Sequence, residues 1–433
     1  MLNRLVPPPV HPLSTVSLPR PQVTQLPNGA RLHQLANAAQ PVLRLQVVLP
    51  AGKRYEPAPG LAQLTARMLT EGTATRTARQ LADEVAFYGA SLECEAGPDR
   101  ATLTLYCLSR HLPTLLPLVQ EVLQAPTFPE PELALTKSRI GQNMQVERRK
   151  TSFRATEEFN RQLFGEASPY GRPFDEATFE QLTTADVRAF HAAAYQPASA
   201  ELFLSGDVAA GAEAVAEVLG AWQPAASSSH LPPAPAVPDT YPTGLVTVPV
   251  PGSLQASLRV GRRWPALPAA QTPELMLLVK VLGGYFGSRL MKNIREDKGF
   301  TYGIHASVVA REQATSLVIG TDVNGEQAAA TRHEIDLELR RLQTEPLPAD
   351  ELETVKNFTL GKLLGETATV FEQADKYRHL VLQNLPADYY EQLSQRTQAT
   401  TAEQLQQLAQ QYLSPEAMLN VTTAPQIQTD LTD

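Results

Sequence analysis

The sequence partly repeats itself, and a fold built from two copies of one unit is the strongest constraint it carries. Pro129 is followed by Glu132-Leu133 and Lys137, and Pro348 is followed at the same spacing by Glu351-Leu352 and Lys356, 219 residues on. Thr184-Ala185-Asp186 precedes Tyr195 as Thr401-Ala402-Glu403 precedes Tyr412, at an offset of 217. Two matches at nearly one offset imply duplication of a unit of roughly 200 residues. Between the copies, residues 223–242 read QPAASSSHLPPAPAVPDTYP, proline-rich and without apolar periodicity, as a semi-stiff linker would be. The expected division is an N-terminal extension (1–21), a first domain (22–222), the linker (223–242), a second domain (243–425) and a tail (426–433).

Each half mixes helical and strand periodicities. Thr77 and Gln80 form a capping box that opens a helix with Leu81, Val85 and Tyr88 on one face, and Gly89 is placed to end it. Alternating strands follow at 90–95 and 101–108, joined by a Gly-Pro-Asp turn, and then a helix over 112–124. In the second half, Thr272-Pro273 opens a helix through Leu282. A second helix runs from about Ser288 to Lys298 and stops at Gly299; strands are expected at 301–308 and 315–321, then a helix over about 326–343. Helices grouped between runs of strands give an α+β fold. Two homologous α/β sandwich domains are expected, each a mostly antiparallel sheet covered by helices on one face.

Composition narrows the function classes. The 433 residues carry a net charge of −8 without long single-sign runs, so a nucleic-acid platform, which needs clustered basic charge, is not expected. The N-terminus MLNRLVPPPVHPLSTVSLPRPQ has no apolar signal region and no stretch approaches a membrane span, so a cytoplasmic protein without membrane partners is expected. Cys94 and Cys107 are too few for a disulfide framework and do not form a CxxC pair. They read as reduced core thiols on neighbouring strands.

Residues that could do chemistry are few. The eight histidines, at 11, 33, 111, 191, 230, 305, 333 and 379, include no two within five positions of each other. A helical zinc site wants two ligands one turn apart on one face, and this chain offers none. There is no G-x-S-x-G elbow, phosphate-binding loop or Cys/His cluster, and the glycines of LGGYFGSRL (282–290) lack a phosphate loop's lysine and spacing.

Residues 60–73, GLAQLTARMLTEGT, resemble the active-site helix of the insulinase and mitochondrial-processing-peptidase family of zinc metallopeptidases, whose catalytic members carry H-x-x-E-H in a setting like GLAHxxEHMxxxGT. The similarity extends over about 22–424, including RYEPAPG ahead of that helix, SPYGRPF (168–174) and GGYFGSRLMKNIREDKGFTYG (283–303). The family's first histidine falls at Gln63, its general-base glutamate at Ala66, its second histidine at Arg67 and its remaining zinc-binding glutamate at Met144, with Glu147 the nearest carboxylate. Gln63 offers a neutral amide, Ala66 a methyl and Arg67 a permanent cation that repels a metal. With neither metal nor base, no water can be activated at these positions, and no metal is expected in this chain. Arg67 has two readings: a partner for a nearby carboxylate in the vacated position, or a solvated helix edge.

The segment at 283–303 is similar to the family's S-x-L-x-x-x-x-R-E-x-x-G-x-x-Y, here Ser288, Leu290, Arg295, Glu296, Gly299 and Tyr302. The resemblance implies that Arg295 and Tyr302 reach the zinc site of another domain or subunit, binding the substrate backbone and polarising the scissile carbonyl, a role that suits two hydrogen-bond donors. The alternatives are local: Tyr302 as a core tyrosine on the face of Ile304, Ala306 and Val308, and Arg295 as a complement to its helix C-terminus. The resemblance therefore implies a non-catalytic subunit of a heterodimeric peptidase. Its catalytic partner would carry H-x-x-E-H and zinc, and its peptide substrate would add as a strand to a sheet edge. An inactive scaffold that binds peptides or assembles a complex is the alternative. A peptidase with a relocated metal site is a further one.

Overall fold

Strands come first because they carry both halves. The computed structural model describes residues 16–37, 39–209, 211–225, 235–264 and 272–424. Most of the expected N-terminal extension, the middle of the expected linker and the expected tail lie outside these. The first half contributes β1 (Gln22–Gln25), β2 (Arg31–Ala36), β3 (Val42–Leu49), β4 (Ser91–Ala96), β5 (Ala101–Leu108) and β6 (Glu201–Gly206). The second contributes β7 (Gly244–Pro249), β8 (Gln255–Trp264), β9 (Thr301–Ala310), β10 (Thr315–Asn324) and β11 (Leu419–Ala424). Their sheets run β1-β2-β6-β3-β5-β4 and β7-β11-β8-β10-β9. Apart from the added edge strand β1 the orders are equivalent, down to a single parallel pair in each, β2 with β6 and β7 with β11. The two halves are homologous α/β units, as the repeats imply.

The helices of the first half are α1 (Leu61–Met68), α2 (Ala78–Phe87), α3 (Leu112–Gln124), α4 (Glu130–Glu147), α5 (Thr151–Phe164), α6 (Glu176–Gln181), α7 (Thr184–Ala194) and α8 (Ala212–Gly220). Those of the second are α9 (Thr272–Gly283), α10 (Ala328–Thr344), α11 (Ala349–Gly365), α12 (Val370–Leu382), α13 (Tyr389–Ala399) and α14 (Ala402–Tyr412). The repeated signatures fall on matching elements and do matching work. Lys137 on α4 donates to the Leu182 carbonyl at 3.0 Å, and Lys356 on α11 donates to the Gln398 carbonyl at 3.0 Å. Each lysine thus ties its long helix to the chain just ahead of α7 or α14, both of which open on a capping box, at Thr183 and Thr401.

Each sheet packs one face on its own helices. Leu43, Leu45, Val47 and Leu49 of β3 point into the first core, which also takes in Cys94 and Cys107; Val260, Leu317 and Ile319 point into the second. Burial pushes the Cys94 thiol up to about 12 and Cys107 up to about 11, so both stay protonated and inert. The expectation of helices on one face describes what each half supplies for itself. The opposite face is covered by a helix from the other half.

That exchange is reciprocal. Helix α5 of the first half buries Phe159, Leu163 and Phe164 against Leu419 and Val421 of the second sheet. Along its start, the Ser257 hydroxyl bonds the Thr151 hydroxyl at 2.9 Å and Arg259 Nε donates to Thr156 Oγ1 at 3.0 Å. Helix α12 lies on the first sheet, where Arg44 donates to the Phe371 carbonyl at 2.9 Å and to Asp375 at 3.0 Å. His33 donates from Nε2 to Glu201 at 2.8 Å, since a carboxylate can only accept, leaving Nδ1 to accept from the Tyr377 hydroxyl at 2.9 Å. The polar residues that alternate with the core positions in β3 and β8 therefore face a helix rather than water.

A second junction lies at the β9–β10 turn. Glu312 pairs with Arg54 at 2.6 Å and Arg100 at 2.7 Å, and the Glu312 amide donates to Asp99 at 3.2 Å. Beside it the Arg311 guanidinium stacks on Phe164 and Tyr170, 4.5 and 5.0 Å from their ring centres. Among the described residues no helix is long and apolar enough to cross a membrane.

Candidate functional site

Helix α1 lacks a side-chain cap of its own and is begun by a buried acid. Gly60, at φ +87, turns the chain into the helix, and a Cβ there would meet the Phe179 ring at 2.7 Å. Glu56 accepts from the Ala62 amide at 3.0 Å and pairs with Arg172 at 3.2 Å. Burial raises the Glu56 pKa, with the Ala62 amide and Arg172 opposing. A carboxylate at the positive end of a helix is favourable, so RYEPAPG and SPYGRPF have a visible structural purpose: they seat α1.

What α1 presents is unsuited to zinc. Gln63 and Arg67 lie one turn apart on its exposed side, while Ala66 is 1 % exposed and offers a methyl. The Arg67 guanidinium reaches Glu95 on β4 at 3.4 Å, with both side chains more than half exposed (52 % and 68 %). Both readings of Arg67 thus hold in part: it is a solvated helix edge that touches a carboxylate, a contact worth little in water. Met144, on α4, has a thioether where the family has a carboxylate, and Glu147 pairs with Lys150. An amide, a methyl, a guanidinium and a thioether do not make a site for zinc, which takes imidazole, thiolate and carboxylate ligands. Among the described residues no group of three or more His, Cys, Asp or Glu is gathered as a metal site would require.

The second locus is well formed. The segment expected to be an ordinary helix is largely a π-helix, Met291–Asp297, a wide form that is rare and often found at functional sites. It turns Leu290, Met291 and Ile294 inward and is clamped from below. The Asn293 amide donates to Glu334 at 3.0 Å and to buried Glu338 at 2.7 Å, both on α10, and Arg289 makes a two-pronged pair with Glu351 on α11 at 3.0 and 3.1 Å. Gly299, at φ +65, ends the segment and sends the chain into β9.

Arg295 and Tyr302 meet across that turn. The Arg295 guanidinium lies 5.0 Å from the Tyr302 ring centre and 4.7 Å from that of Phe286, so it is held between two rings. Tyr302 is 90 % exposed, which excludes the core alternative although Ile304 and Ala306, on the same strand face, are buried. Arg295 is engaged with rings rather than with the carbonyls of its own helix end. Phe286, 61 % exposed, was not singled out by sequence reasoning; its signal is an aromatic pair set between Gly284 and Gly287 in GGYFGS. The result is a cation flanked by aromatic faces at the start of β9, an edge strand. Such an arrangement can donate hydrogen bonds to a carbonyl and offer apolar contact beside it.

A two-domain α/β protein whose helix α1 carries none of the side chains that hold zinc is thereby defined. The family model described as "Insulinase (Peptidase family M16)" matches residues 34–168, and that described as "Peptidase M16 inactive domain" matches residues 181–358. The chain belongs to the insulinase family, as a member that lacks the zinc motif. It is 21 % identical over 342 residues to an uncharacterized zinc protease, YmxG, of Bacillus subtilis, covering 78 % of this chain and 82 % of that protein. Over 132 residues it is 28 % identical to a probable mitochondrial-processing peptidase subunit beta of Arabidopsis thaliana, covering 30 % of this chain and 25 % of that one. The crystal structure of a peptidase M16 inactive domain from Pseudomonas fluorescens superposes with a TM-score of 0.85 at 24 % identity, covering 94 % of this chain and 98 % of that one.

Proposed function

We propose that this chain is the non-catalytic subunit of a two-chain insulinase-family peptidase, supplying Arg295 and Tyr302 to the zinc site of a catalytic partner that carries H-x-x-E-H. The observation that carries the proposal is the exposed Arg295–Tyr302 pair, held at 5.0 Å on a clamped π-helix in a chain whose own α1 has no residues for zinc. An exposed tyrosine held against an arginine does nothing for the core, and its exposure supports a reading in which the pair meets something that arrives from outside. A peptide extended along the edge strand β9 would pass these donors, with the main chain supplying most of the affinity. Zinc would belong to the partner, and the setting would be the cytoplasm, without nucleic acid or membrane.

The test is reconstitution of the chain with an H-x-x-E-H subunit from the same source and comparison of peptide turnover with Arg295→Ala in place. Turnover falls if the donors act in trans. Unchanged turnover by a correctly assembled pair ends the proposal and leaves a peptidase-fold scaffold that assembles a complex without proteolysis. One tightly held zinc per isolated chain would end both readings.

A further inference from the structure

Helices α9, α11, α12 and α13 enclose a cavity of ≈ 440 Å³ away from Arg295 and from α1, within the size range of small-molecule sites. Leu277, Leu360, Leu363 and Leu393 form an apolar part of its wall, and charged and aromatic side chains make up much of the rest. Into this lining the chain puts an excess of positive charge. Lys362 and Lys376 share one carboxylate, Glu366, at 3.7 and 2.5 Å, and Asp375 is drawn off by Arg44 and Arg378. Lys280 makes no ion pair or hydrogen bond among the described residues: Glu366 acts on it only at longer range, and its ammonium lies over the face of Phe358, 5.9 Å from the ring centre.

Two further observations mark the cavity as built for a ligand. Thr397 lines it and is 1 % exposed, yet its hydroxyl finds no hydrogen-bond partner, which is costly for a buried polar group. Burial lowers the Lys280 pKa, and Lys362 and Lys376 lower it further, against Glu366. Glu366 offsets this only in part, because it is paired with Lys362 and Lys376, so an arriving anion would relieve the ammonium further.

We infer that this cavity binds a small amphipathic monocarboxylate, its carboxylate on Lys280 and its alkyl tail against the leucines. A carboxylate fits better than a phosphate because the charge to be met is a single unpaired ammonium, and Glu366 and Asp375 in the same lining disfavour a second negative charge. A primary amine of the same tail would be repelled by the three lysines.

Decanoate, below its micellar concentration, is titrated into the full chain by calorimetry. Saturable binding of one equivalent is expected, weakened at least tenfold by Lys280→Met, which keeps the alkyl stem and removes the charge. Met276→Trp, which fills the space from the wall, abolishes it without touching any lysine, and decylamine does not compete. Absence of saturable decanoate binding overturns the inference. So does binding that survives both substitutions, or binding of decylamine as tight as that of decanoate. The result is independent of peptide turnover, so it stands or falls apart from the Arg295 reading.

Discussion

At the scale of single residues, Arg295 makes a sharp demand. Preorganised donors aimed at a carbonyl are each worth about 10²–10³ in rate, so Arg295→Ala in the assembled pair is expected to lower kcat/KM about 10²-fold. Its partial exposure means the isolated chain should keep its urea midpoint, with a change below about 0.5 kcal/mol. Arg295→Lys should not restore turnover, because an ammonium lacks the planar fork that sits between Phe286 and Tyr302. Tyr302→Phe keeps the stack and loses the hydroxyl, separating donation from positioning. A different residue contributes to the loss of stability in acid. His191 on α7 lies against Tyr195 and Phe128, donates to the Leu123 carbonyl at 3.0 Å, and burial depresses its pKa from 6.5 to about 4. The unfolded chain therefore takes up a proton there that the native chain refuses. Stability from this group is complete above pH 6.5 and is lost as the pH falls from 6.5 toward 4, by up to about 3 kcal/mol. His191→Gln should remove that part of the slope, read as the difference between urea midpoints of the two proteins at pH 7 and pH 4.5.

Elements were legible where their signals are local. The capping box at Thr77, the glycine stops at Gly89 and Gly299, and the alternation in β4, β5, β9 and β10 are written in neighbouring residues, and the structure has these elements where those residues place them. The helix exchange was not legible, because α5 and α12 meet their sheets across long separations and the pattern of β8 looks the same whether Ser257 and Arg259 face water or a helix. The π form of 291–297 was equally hidden, since its residues read as an ordinary helix and the contacts that hold it, Asn293 to α10 and Arg289 to α11, come from distant parts of the chain. Gly261 on β8 reports on the exchange directly. A Cβ there would meet the Leu317 carbonyl oxygen at 2.0 Å and the Phe159 ring at 3.1 Å, so the close seat of α5 depends on a missing side chain. Gly261→Val is expected to destabilise by about 1–3 kcal/mol or more through overpacking. Hydrogen exchange should quicken first in α5, with the helices α9 and α10 on the far side of the sheet less affected.

For the whole molecule, the exchange decides how the halves unfold. Two domains joined by a linker would ordinarily melt as separate units. Here neither sheet has both faces covered unless the other half is folded: removing the second half strips α12 from β2 and β6 and leaves Phe159, Leu163 and Phe164 of α5 without the strands they bury against. Each half would expose a continuous apolar or half-buried polar face, so partial unfolding costs nearly as much as complete unfolding. A single calorimetric transition is therefore expected, with calorimetric and van't Hoff enthalpies equal, and two resolved transitions would contradict the argument. The junction at Glu312 refines the test. Glu312→Ala leaves Arg54 and Arg100, both largely covered, without their shared carboxylate, at a cost of about 2 kcal/mol. For a chain of this length that lowers Tm by about 2 °C. Because the junction belongs to both halves, the whole transition should move down together, and no early shoulder from a released domain should separate from it.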